Sequence, residues 1–181
     1  MNTDLLKANI RTIPDFPIKG IIFFDVTTIF KSADCIKELG DGLYDMYKDK
    51  GITKVVGLES RGFIAGGIAA HRLGAGFVPI RKPGKLPAET VSVSYAKEYG
   101  TDTLEIHTDS ITPDDVVLIH DDLLASGGTA VAAIELVRKF NPKAIYVNFI
   151  IELTDLPGRS RLPEDIDVTS LIKVAEHEGW D

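Results

Sequence analysis

Val116-Val-Leu-Ile-His-Asp-Asp-Leu-Leu-Ala-Ser-Gly-Gly-Thr129 is the stretch on which the fold turns. An apolar run rich in β-branched residues ends in two carboxylates. A short loop then passes through a glycine pair, and a segment follows in which Ala130, Ile134 and Val137 share one helical face. Near-continuous apolar runs of this kind suit strands buried on both faces of a parallel sheet. Lys54-Val-Val-Gly-Leu58, Gly76-Phe-Val-Pro-Ile80 and Ala144-Ile-Tyr-Val-Asn-Phe-Ile-Ile151 have the same character. Between such runs, Ile36, Leu39, Leu43 and Met46 fall on one helical face, and Gly62 to Leu73 reads as a helix rich in small residues. Leu6, Ile10 and Ile13 predict a short opening helix stopped by Pro14. The alternation predicts an α/β fold, a central, mostly parallel sheet flanked by helices.

The chain has 181 residues, 44% of them hydrophobic, which predicts a single domain over 1–181 with a substantial core. Asp and Glu outnumber Lys and Arg by 27 to 20, for a net charge of −7. An acidic surface repels phosphodiester backbones, so neither nucleic acid nor an anionic membrane is an expected partner. One cysteine, Cys35, forms no intrachain disulfide and falls on the apolar side of a predicted helix. The four histidines and Cys35 show no zinc spacing, and no metal site is expected from the protein alone. The N-terminus lacks a basic region followed by an apolar stretch, and no apolar run approaches membrane-spanning length, so a cytoplasmic protein is expected. Two stretches break the alternation. Residues 81–106 carry Pro83, Gly84, Pro87 and Gly100 and read as a long hairpin or flexible flap, and the acidic stretch from Asp155 reads as a cover for a sheet edge.

Chemistry concentrates after the acid pair. Glycines in Ala125-Ser-Gly-Gly-Thr129 let backbone N–H groups approach an anion, and the following helix N-terminus adds about half a positive charge. This suits a phosphate monoester at the carboxyl end of a parallel strand. Asp121 and Asp122 would repel that phosphate, so they need another partner: vicinal ribose hydroxyls, or a magnesium shell. Neither GxxxxGK[ST] nor GxGxxG occurs. His120 reads as a packing residue at a strand end.

Taken together, the apolar run, the Asp-Asp pair and Leu-Leu-Ala-Ser-Gly-Gly-Thr resemble the phosphoribosyl-diphosphate (PRPP) motif of the type I phosphoribosyltransferase family. Ile13-Pro-Asp-Phe-Pro17, Gly20-Ile-Ile-Phe-Phe-Asp25, Gly57-Leu-Glu-Ser-Arg-Gly-Phe63, Arg81-Lys-Pro-Gly-Lys-Leu-Pro87 and Tyr95-Ala-Lys-Glu-Tyr-Gly100 with Leu104-Glu-Ile106 narrow the resemblance to the adenine branch of that family. It implies transfer of the phosphoribosyl group of PRPP to N9 of adenine, giving AMP. Another purine base and a non-catalytic PRPP-sensing regulator stand as alternatives. Asp121 and Asp122 would hold the ribose, and Ala125, Ser126, Gly127, Gly128 and Thr129 the 5-phosphate. Ser60, Arg61, Arg81, Lys82 and Lys85 would hold diphosphate. Ile22 would offer backbone groups to adenine, with Phe23 and Leu123 on its two faces. Glu98 would serve as general acid/base at N7. The resemblance also implies Mg²⁺ bound mainly through PRPP, a non-proline cis peptide at Glu59–Ser60, a base-binding hood over about residues 1–30, and a homodimer in which Arg81 reaches the neighbouring site. Phe24 departs from the family's common arginine, which implies a missing polar contact near the base.

Overall fold

The computed structural model describes residues 1–96 and 100–175. The chain opens with α1 (Thr3–Asn9), where the Asn2 side chain accepts from Leu5 N–H at 3.0 Å and so caps the helix. The helix does not continue to Ile13 as its spacing predicted. The chain leaves it at Ile10 and forms β1 (Arg11–Pro14), antiparallel to β2 (Ile22–Asp25). Thr12 and Ile13 are β-branched and favour the ladder opposite Phe24 and Phe23, while Ile10 still reaches the core that holds Leu6. After α2 (Thr27–Phe30) comes α3 (Ala33–Tyr47), capped by Ser32. Its buried seam is Cys35, Leu39, Leu43 and Tyr47, four residues apart, with Ile36 and Met46 only half-buried at its margin.

The remaining elements build the sheet. They are β3 (Lys54–Leu58), α4 (Gly62–Leu73), β4 (Gly76–Ile80), the hairpin β5 (Thr90–Ala96) and β6 (Thr101–His107), β7 (Val116–Leu124), α5 (Gly128–Arg138), β8 (Ala144–Leu153), α6 (Gly158–Arg161) and β9 (Asp167–Val174). The central sheet has the order β4-β3-β7-β8-β9 and every pairing in it is parallel. β3, β4 and α4 keep the bounds read from the sequence. β7 differs: it runs past the acid pair to Leu124, because β8 beside it is long enough to pair Ile151 with Leu123 and Glu152 with Leu124. The stretch after Asp155 does not cover an edge; it supplies the edge strand itself, with Leu171, Ile172 and Val174 buried.

Two apolar layers sandwich the sheet. Leu39 and Leu43 of α3 meet Leu118 and Ile150 on one face, and Ile134 and Val137 of α5 meet Ile119 and Val147 on the other. The hairpin roots in the second layer through Leu104 and Ile106. A polar chain crosses the first layer. His120 Nδ1 lies 3.0 Å from Asn148 Oδ1, Asn148 Nδ2 donates to Thr169 Oγ1 at 2.9 Å, and the Tyr47 hydroxyl meets that same oxygen at 2.5 Å. His120 is thus the buried packing residue its position implied.

Candidate active site

The turn from β3 into α4 is the tightest part of the site. A Cβ on Gly57 would lie 2.7 Å from the Phe77 ring and 2.9 Å from the Gly62 carbonyl oxygen, so only glycine lets the first turn of α4 sit this close. The Glu59–Ser60 peptide is cis, as the resemblance implied. Glu59 projects toward the start of the hairpin segment. It accepts from Lys85 Nζ at 2.7 Å, Lys82 N–H at 2.9 Å and Arg81 Nε at 3.3 Å. Burial raises its pKa, but these donors outweigh burial and hold it at about 2. Arg61 turns the other way, onto Asp122, with its guanidinium 5.7 Å from the centre of the Phe23 ring.

Asp121 and Asp122 are adjacent residues near the carboxyl end of β7, and both side chains reach the same cavity. Asp122 is neutralised by Arg61. Asp121 is pushed well above the ordinary carboxylate range, first by burial and then by the charge of Asp122. A cavity of about 350 Å³ brings Ser60, Arg61, Lys82, Tyr95, Asp121, Asp122 and Thr129 to one place. A smaller cavity of about 90 Å³ adjoins it, lined by Leu123, Ala125, Ser126, Gly127 and Thr129 together with Asp121. The glycine pair has a more specific use than open access to an anion. Gly127 is left-handed (φ +82°), and a Cβ there would meet the Gly158 carbonyl oxygen at 2.8 Å; a Cβ on Gly128 would touch the Tyr95 ring at 3.5 Å.

The base side is less enclosed. Phe23 is half-buried, edge-on to Phe16 at 5.3 Å, and Ile22 opens β2 opposite Pro14, which has no N–H to donate. Leu123 lines the smaller cavity. Phe24 is 3% exposed and packs in the core with Leu6 and Val26. Successive strand residues face opposite ways, so Phe24 is turned from Phe23's side of the ladder and fills the core.

Of the residues expected in the site, Ser60, Arg61, Lys82, Asp121, Asp122 and Thr129 share one cavity, while Arg81 and Lys85 reach it through Glu59. Glu98 lies outside the described residues. Three participants escaped the sequence reading: Glu59, Tyr95 and Asp102. The Tyr95 hydroxyl lies 3.0 Å from Thr129 Oγ1 and donates to Asp102 Oδ2 at 3.3 Å, and Lys82 pairs with Asp102. Glu59 stands directly before Ser60 and Arg61, two of the expected diphosphate-binding residues. The other two depend on the register of β5 against β6, which no local motif reveals.

Residues 25–181 match the model of the phosphoribosyl transferase domain. The chain is similar to the adenine phosphoribosyltransferase of Phocaeicola vulgatus, 64% identical over 172 residues, covering 95% of this chain and 99% of that protein. Among solved structures it is similar to the adenine phosphoribosyltransferase of Rhodothermus marinus, with a TM-score of 0.88 and 50% identity, over 94% of this chain and 97% of that one. It is also similar to the APRTase of Giardia lamblia complexed with 9-deazaadenine, with a TM-score of 0.90 and 43% identity, over 96% and 98% of the two chains.

Proposed function

This chain belongs to the phosphoribosyl transferase family, and from that premise we propose that it joins N9 of adenine to C1 of PRPP, releasing diphosphate and forming AMP. The observation that carries the reading is one cavity bounded by Ser60 and Arg61 at one wall, the acid pair at another, and the Ala125–Thr129 loop beside it. Adenine as the base is supported by relatives that carry that name along their whole length.

The residues divide the work by charge. Ala125, Ser126, Gly127, Gly128 and Thr129 hold the 5-phosphate by backbone N–H groups and hydroxyls at the start of α5. Diphosphate takes Ser60, Arg61, Lys82 and, through the turn at Glu59, Arg81 and Lys85. As Arg61 moves to diphosphate, Asp122 is left to accept from the ribose hydroxyls beside Asp121. Mg²⁺ arrives with PRPP as part of the substrate, and oxygen-only donors suit its hard charge. The C1–O bond breaks with its electron pair leaving on diphosphate, and the N9 lone pair forms the new bond. Phe23 and Leu123 flank the ring and Ile22 offers backbone groups to its edge. Glu98 takes the proton that the base sheds at N7, and the residues around 81–106 close over the site to exclude water.

The reading includes a homodimer. Phe77 and Ile64 are 37% and 43% exposed beside the open edge of β4, and Phe77 stacks edge-on with Phe63 at 5.8 Å. Light scattering should return twice the chain mass, 39.4 kDa being 2 × 19.7 kDa. Among the described residues no helix is long and apolar enough to cross a membrane, and a cytoplasmic location belongs to the same proposal. The deciding experiment is incubation with PRPP, Mg²⁺ and each purine base in turn, identifying the nucleotide made. Adenine should give the largest kcat/KM; a larger value for hypoxanthine or guanine overturns the base assignment.

A further inference from the structure

The Ala125–Thr129 loop carries no cation of its own, yet its back is pressed against a segment that the proposed reaction does not use. That segment is α6. A Cβ on Gly158 would fall 2.2 Å from the Ala125 carbonyl oxygen, and one on Gly127 would fall 2.8 Å from the Gly158 carbonyl oxygen. Two backbones therefore touch with no side chain between them. Arg161 closes the contact: its Nη1 donates to the Ser126 carbonyl oxygen at 2.9 Å. The guanidiniums of Arg61 and Arg81 face carboxylates; this one faces the phosphate loop's own backbone.

The far side of α6 is anchored in the sheet. Arg159 donates from Nε to Glu152 Oε1 at 2.9 Å, from Nη1 to the Val168 carbonyl at 2.6 Å and from Nη2 to Ser170 Oγ at 3.1 Å. Glu152 is 4% exposed on β8, and Val168 and Ser170 lie on β9. The hydrogen bonds from Arg159 hold the Glu152 carboxyl below its ordinary range, so the pair stays charged through neutral pH. The connection from β8 to β9 is thus a clasp, fixed to two strands at one end and to the loop at the other.

We propose that Arg161 is a positioning residue for the 5-phosphate. The peptide between Ser126 and Gly127 is planar, with its carbonyl and N–H on opposite sides. Holding the Ser126 carbonyl on Arg161 therefore aims the Gly127 N–H away from α6 and at the phosphate. The inference rests on the reading of Ala125–Thr129 as the 5-phosphate site, and its test separates the two.

Calorimetry of the full chain with ribose 5-phosphate and, separately, with diphosphate reads the two ends of PRPP independently. Arg161 is exposed, so its replacement leaves the core intact. Arg161→Ala should weaken ribose 5-phosphate binding by about tenfold, the size expected for losing a charge-assisted hydrogen bond. Diphosphate affinity should stay within about twofold. In turnover, KM for PRPP should rise while kcat holds. Arg161→Gln, which keeps a donor for the Ser126 carbonyl without the charge, should recover most of the loss. Thr129→Val tests the loop reading on its own. If it weakens ribose 5-phosphate while Arg161→Ala does not, the clasp is refuted and the loop reading stands. If neither variant matters, the loop reading falls and takes the clasp with it. An equal loss for both ligands, or rescue by Lys but not by Gln, would overturn positioning through the carbonyl.

Discussion

Arg61, Arg81, Lys82 and Lys85 each already hold a carboxylate, from Asp122, Glu59 or Asp102, so substrate must exchange partners rather than fill a bare positive pocket. At the same scale His120 makes a pH prediction. Burial depresses its pKa from an ordinary 6.5 to about 4, against smaller upward pulls from Asn148 and Asp122. The unfolded chain therefore binds a proton near pH 6.5 that the folded chain refuses until about pH 4. Stability from this group is present above pH 6.5 and is lost as pH falls toward 4. Asp25 and Glu59, held at about 2, contribute their own loss only lower down, from the ordinary carboxylate range toward 2. Urea titrations of His120→Leu should show a flatter slope between pH 6.5 and 4 than the unaltered chain; an identical slope would mean His120 is not protonated on unfolding. Glu98→Leu should lower kcat by at least about tenfold with PRPP affinity little changed, as general acid/base help is worth about 10²–10⁴. Single-turnover rates at the unaltered level would remove Glu98 from the proton transfer.

At the level of elements, what the sequence made legible was what depends on near neighbours. β3, β4 and α4 could be bounded from their own residues because apolar runs and breakers coincide there, and the acid pair with its glycine loop is a contiguous motif. Elements that depend on a distant partner were misjudged. β1 exists because β2 pairs with it, β7 is long because β8 is long, and β9 is a strand because β8 offers it an edge. The same reasoning explains why Tyr95 and Asp102 were missed: they meet Thr129 and Lys82 only after the hairpin has taken its register. Two substitutions test the packing of elements. Leu39→Ala empties a fully buried position between α3 and the sheet and should cost about 2–5 kcal/mol, seen as a fall in Tm. Gly57→Ala should cost about 1–3 kcal/mol by pushing Phe77 and the start of α4 away. It should also raise KM for PRPP, since Ser60 and Arg61 ride on that turn; a stability loss with KM unmoved would uncouple the turn from the site.

Across the whole molecule the charge of −7 and the internal pairing of the site's cations point the same way. Among the described residues, Arg61, Arg81, Lys82 and Lys85 are each paired with a carboxylate, which weakens the positive field available to draw substrate in from solution. kcat/KM for PRPP should therefore change by no more than about threefold between low and physiological ionic strength, where screening of a bare basic cleft would do more. A steeper fall would show that the carboxylates release their cations before substrate arrives. The connectivity of the sheet has a consequence in time. β3 and β7 are neighbours although Lys54 stands beside Val117, and the whole hairpin is inserted in the chain between them. Closing that long a segment is entropically costly and slow, whereas strands as near as Ala96 and Thr101 meet within microseconds. An isolated hairpin is marginal in water, so β5 and β6 are expected to become lasting only once α5 presents a surface for Leu104 and Ile106, which amide-exchange labelling during refolding would show as late protection of the hairpin.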